Sequence, residues 1–142
     1  MRVHRALARQ GYGLLIHDGY RPWYVTKMFW DATPVAQHIF VANPARGSRH
    51  NRGTAVDLSL YDLVTGRPIA FVSGYDEFTA RAYRDYPGGT ALQRWHRDLL
   101  KAAMEAVGFQ SQYAEWWHFD WKDWARYPVL NVAFEDLGRG RN

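Results

Sequence analysis

The sequence predicts an α+β domain with a central antiparallel sheet and flanking helices. Three observations lead there. Helix-period segments are few, at residues 2–10, 22–32 and 90–107. Strand-like segments lie among them at hairpin-like spacing, without the regular strand–helix alternation of a parallel sheet. The 142 residues suit one domain spanning 1–142, long enough to bury a core without staples.

The elements follow in order. Residues 2–10 read as a short helix stopped by Gly11 and Gly13. Tyr12 to His17 reads as a buried strand, and Asp18-Gly19 as a turn. Pro22 suits the first turn of a helix to about Ala32, with Val25, Met28 and Phe29 on one face. Residues 33–49 look irregular. Thr54 to Leu60 alternates as a half-buried strand, with Ala55, Asp57 and Ser59 opposite Val56, Leu58 and Leu60. Asp62 to Pro68 is a hairpin-like connection, and 71–89 a long loop with some helix. Thr90 to Val107 is the strongest helix, with a stripe of Leu92, Trp95, Leu99, Ala102, Ala103 and Ala106 and Gly108 as its stop. Trp116 to Trp121 reads as a strand because bulky aromatics fill it. Nothing is legible after Pro128.

Composition excludes several classes. There is no cysteine, so disulfide scaffolds, thiolate nucleophiles, Cys-based zinc sites and iron–sulfur clusters drop out. No apolar run has the length of a membrane span. The first ten residues lack the apolar core of a secretion signal, which leads to the expectation of a cytoplasmic protein. The net charge of +4 comes from scattered arginines rather than a block. Solvated basic faces explain it better than a nucleic-acid partner does.

Two segments carry chemistry: Ser48-Arg49-His50-Asn51-Arg52-Gly53-Thr54-Ala55-Val56-Asp57 and Glu115-Trp116-Trp117-His118. A catalytic zinc takes three protein ligands and keeps a fourth position open, and imidazole and carboxylate suffice. His50 precedes a strand, Gly53 lets the chain turn into it, and Asp57 lies inside it beside small residues. His118 can bring the third ligand from a neighbouring strand. Glu115 is the candidate general base. In an ideal strand residues three apart face opposite ways, so Glu115 and His118 meet only if the chain bends near Trp116. Tryptophans nearby can exclude water and raise the glutamate's pKa. Arg21, at a strand-to-helix turn, can steady a developing oxyanion. Each residue alone has an ordinary structural explanation; their joint spacing favours the chemical one. His4, His17, His38 and His96 lack such context and are expected to be structural.

These segments, with Asp18-Gly19-Tyr20-Arg21-Pro22 and Gln10-Gly11-Tyr12-Gly13-Leu14-Leu15, resemble the zinc D-alanyl-D-alanine dipeptidases of the VanX type. Those belong to peptidase family M15, which shares a fold with the hedgehog signalling domain. The resemblance runs from about Leu7 to Pro128. It implies one zinc ion per chain held by His50, Asp57 and His118, Glu115 as base and Arg21 at the transition state. Ser48 would lie near the substrate carboxylate, and Asp76 would hold the substrate ammonium. The implied partner is a small D,D-dipeptide, and the implied roles are glycopeptide resistance or cell-wall dipeptide recycling. Family members usually carry a further segment before the point where this chain begins. Its lack here leads to the expectation of an open pocket and of an uncovered surface suited to a homo-oligomer.

Overall fold

A computed structural model describes residues 1–138, which build four strands and three α-helices joined by loops and short 3-10 turns. Helix α1 (Arg2–Ala8) leads into β1 (Tyr12–Asp18), then α2 (Trp23–Ala32). Strand β2 (Ala55–Asp62) follows the long connection. Helix α3 (Ala91–Glu105), β3 (Phe109–Ser111) and β4 (His118–Trp121) complete the order. The sheet runs β1-β2-β4-β3 and every pairing is antiparallel, as the sequence predicts.

Alternation along the strands divides the sheet into two faces. Leu58 and Leu60 of β2 and Phe119 of β4 join Val3 and Leu7 of α1, Leu100 and Met104 of α3, and Trp117 in one core. The opposite face carries Asp57, Ser59, His118 and Asp120. The register sets Asp57 directly across from His118. A shift in β1 between Ile16 and Asp18 sets Asp18 against Asp57 as well.

The structure corrects three expectations. Strand β2 is buried on both faces rather than one, because loops cover the polar side. The strand at 116–121 begins only at His118, since the chain turns over Trp116 and Trp117. The buried face of α3 is His96, Arg97, Leu100 and Met104, while Leu92, Trp95, Ala102 and Ala106 are exposed. Leu99 and Ala103 do pack against the core. The stripe is offset because polar side chains go inside where at least one polar atom finds a partner; among the described residues His96 Nδ1 stays buried without a hydrogen bond of good geometry. Tyr12 Oη lies 3.1 Å from His96 Nε2, and Arg97 donates to the Tyr86 carbonyl at 2.7 Å. The Met28 and Phe29 face of α2 is exposed, and Thr26 is the residue that helix buries.

Thr90 closes α3 with a capping box: its hydroxyl accepts from the Gln93 N–H and the Gln93 side chain accepts from the Thr90 N–H. Residues 33–49, read as irregular, contain a 3-10 helix at Val35–Phe40.

Candidate metal centre

His50 lies in a 3-10 turn, His50–Arg52, that Gly53 ends with φ +64°. That left-handed conformation suits glycine, and it turns the chain at once into β2. Ser48 and Asn51 hold the turn. The Ser48 hydroxyl accepts from the His50 N–H at 3.2 Å, and Asn51 Oδ1 accepts from the Ser48 N–H at 2.7 Å. Asn51 Nδ2 donates to the Arg21 carbonyl and to Thr26 Oγ1, both at 2.8 Å. One fully buried asparagine thus ties the turn to α2.

The second segment resolves the geometric difficulty seen in the sequence. The His118 N–H donates to the Glu115 carbonyl at 3.2 Å, closing a turn across Trp116 and Trp117. That turn swings Glu115 to the side of His118, with Oε2 3.8 Å from Nδ1. The tryptophans point into the core instead of walling the site. Phe29, Phe40 and Phe78 line the cavity.

His50 Nε2, Asp57 Oδ1 and His118 Nδ1 converge, and the three residues are buried. The separations are 3.1 Å between the nitrogens, 3.0 Å from His118 to Asp57 and 3.4 Å from His50 to Asp57. Ligands placed tetrahedrally around a zinc at about 2.0–2.1 Å lie roughly 3.3 Å apart, so the spacing fits. Proton placement fits too. The His50 Nδ1–H donates to the Gly19 carbonyl at 2.7 Å, and the His118 Nε2–H donates to Asp120 Oδ1 at 2.9 Å. Both inner nitrogens therefore offer lone pairs to the same point. Among the described residues Asp57 Oδ1 is buried and receives no hydrogen bond of good geometry. With both imidazoles neutral, three acceptors face one another and fit a cation; without a metal, a proton on His118 Nδ1 takes that place against Asp57.

The electrostatics agree. Burial would raise the Asp57 carboxyl, but the two imidazoles outweigh it and hold it well below the usual range. Burial lowers His118, yet Asp120, Asp57 and Glu115 push it up to about 10. Burial raises Glu115 to about 7, with Asp57 and Asp76 adding to it against His118 and Arg21.

All seven residues singled out in the sequence line one cavity of about 450 Å³. Arg21 is clamped by Asp18 (Nη2 to Oδ2, 2.5 Å) and its guanidinium lies 4.8 Å from the Phe29 ring centre. Asp76 holds φ +55°, a strained conformation for a non-glycine residue. Burial and the Asp57 charge raise its pKa. Residues not foreseen also bear on the site. Tyr75 donates its hydroxyl to Asp57 Oδ2 at 3.3 Å while stacked on His17 at 4.3 Å. Asp120 braces His118. The spacing His118-Phe119-Asp120 carried that signal, since residues two apart on a strand share a face.

A buried His–Asp–His triad with an acid beside it, set on an antiparallel sheet and open to a cavity, has the donor set of a metallopeptidase centre. Comparison with known proteins places the chain within one such family. Residues 1–136 match the peptidase M15 model described as D-Ala-D-Ala dipeptidase, and the chain belongs to that family. It is 38% identical to a D-alanyl-D-alanine dipeptidase of Escherichia coli, over 87% of this chain and 63% of that protein. A D-alanyl-D-alanine dipeptidase of Enterococcus faecium is 32% identical over 95% of this chain and 73% of its own length. One from Streptomyces coelicolor is 37% identical over 80% of this chain and 64% of itself. The chain thus spans a little under two thirds of the E. coli and Streptomyces relatives. No helix among the described residues is long and apolar enough to cross a membrane.

Proposed function

We propose that the chain is a zinc dipeptidase that hydrolyses D-alanyl-D-alanine, with His50, Asp57 and His118 as the metal ligands. The observation that carries this reading is the meeting of His50 Nε2, Asp57 Oδ1 and His118 Nδ1 within 3.0–3.4 Å of one another beside Glu115. A zinc ion held there supplies Lewis acidity, polarising a carbonyl and acidifying water. Glu115 takes a proton from the attacking water as the carbon–oxygen bond forms, and its raised pKa matches that task near neutral pH. Arg21, fixed by Asp18, faces the negative charge that grows on the carbonyl oxygen. As the carbon–nitrogen bond breaks, Glu115 returns the proton to the leaving amine. Asp76 pairs with the substrate ammonium, and Ser48 lies at the carboxylate end. Glu115→Ala should lower kcat at least ~100-fold while one zinc per chain is retained. Unchanged turnover refutes the assignment.

A second reading, hydrolysis of longer D,D-peptides, is favoured by the cavity. Its volume of about 450 Å³ falls in the ~300–1,000 Å³ range of pockets for drug-sized ligands. Comparing the free dipeptide with a blocked tripeptide ending in the same pair decides between them.

A further inference from the structure

We propose that Asp120, steadied by Arg49, is the positioning residue that aims His118 Nδ1 at the metal. This rests on the zinc reading above and adds to it a residue pair outside the ligand set. Asp120 lies two residues along β4 from His118, on the same face, and opposite Ala55, whose small side chain leaves it room. Its Oδ1 accepts the His118 Nε2–H at 2.9 Å. Its Oδ2 lies 3.6 Å from Arg49 Nε, and the Arg49 guanidinium rests 4.4 Å from the Trp124 ring centre.

The physical logic is one of proton placement. A neutral imidazole has one protonated nitrogen and one free lone pair. An acceptor fixed at Nε2 keeps the proton there, so the lone pair stays on Nδ1, the atom that faces Asp57 Oδ1 at 3.0 Å. The same contact resists rotation of the ring. The Asp120 side chain is only 12% exposed, so its charge needs a partner, and Arg49 is the cation against it. Trp124 in turn limits where Arg49 can go. The chain Trp124–Arg49–Asp120–His118 runs from the surface to the metal centre.

The test measures zinc affinity of the purified protein by chelator competition, independent of activity. Asp120→Ala should weaken zinc by ~10–100-fold, the usual cost of removing such a brace. Asp120→Asn keeps an oxygen for the Nε2–H and should recover most of that loss, which a purely structural role would not predict. The zinc-loaded wild type should show a slowly exchanging His118 Nε2 proton by NMR, absent from the alanine variant. Arg49→Gln combined with Asp120→Ala should bind zinc no more weakly than Asp120→Ala alone, because Arg49 acts through Asp120. Wild-type zinc affinity in Asp120→Ala, an asparagine variant as weak as the alanine one, or additive losses in the double variant would each overturn this assignment and leave the zinc reading standing. A wild-type chain that binds no zinc would overturn both.

Discussion

The two histidines of the triad are held by opposite means. The His50 ring is braced by main chain: its Nδ1–H goes to the Gly19 carbonyl, on a turn held by the Ser48 hydroxyl, the Asn51 amide and Gly53. His118 is braced by side chain: its Nε2–H goes to Asp120, which in turn faces Arg49. A main-chain brace cannot be deleted without disturbing the fold, whereas a side-chain brace can be removed with the strand intact. Damage near His50 should therefore appear as lost stability, and damage near His118 as lost affinity for metal.

The largest effect breaks either arm at its ligand. His50→Ala and His118→Ala each leave two donors, so one-to-one zinc binding at micromolar metal should vanish. Stoichiometric binding retained by either variant would detach that arm from the centre.

Acidity separates the arms next. In the metal-free protein His118 is raised from its ordinary 6.5 to about 10. The folded chain then holds a proton that the unfolded chain has released. Stability from this group is complete below pH 6.5 and is lost as pH climbs from 6.5 towards 10. The melting temperature of metal-free protein should fall across that window, and His118→Gln should flatten the slope. Because that proton must leave for the ligand to bind, zinc affinity should rise with pH, by up to about tenfold per unit for each proton displaced. A flat affinity profile from pH 6.5 to 9 would contradict the proposed ligand.

Asn51→Ala tests the turn that carries His50. It strands the buried Ser48 N–H and Arg21 carbonyl, so a loss of about 3 kcal/mol is expected at roughly 1–3 kcal/mol per unpaired group. Denaturant titration of the zinc-free protein checks it. Gly53→Ala should cost less, about 1–2 kcal/mol. A Cβ there meets nothing within 4 Å, so the strain lies in the backbone angle alone. Smallest is Tyr75→Phe. It removes one long hydrogen bond to Asp57 Oδ2 and leaves the stack on His17, so under about 1 kcal/mol should separate its zinc affinity from wild type.

Much of this site is legible in the chain because strand geometry is local. A small-residue strand face around Asp57 and a histidine in an aromatic strand are patterns of adjacent positions. Helix faces were less legible. The most apolar letters of α3 predict one stripe, but His96 and Arg97 go inside, where Tyr12 meets His96 Nε2 and the Tyr86 carbonyl meets Arg97. Those partners lie far away in sequence. Tyr75 likewise lies 18 residues from the Asp57 it touches, whereas Asp120 sits two residues from His118, within reach of strand alternation.

The amino-acid order by itself determined the antiparallel α+β class and the candidates His50, Asp57, His118, Glu115 and Arg21, since periodicity and residue chemistry act over a few neighbouring positions; Ser48 and Asp76 were implied only by the family resemblance. Tertiary structure alone decided the rest: that Asp57 faces His118 across two strands, that a turn over buried tryptophans brings Glu115 round, and which nitrogen of each imidazole is free. Those outcomes depend on register and on contacts between segments 30 to 68 residues apart, such as Asn51 with Arg21 and His50 against His118, which no local pattern encodes.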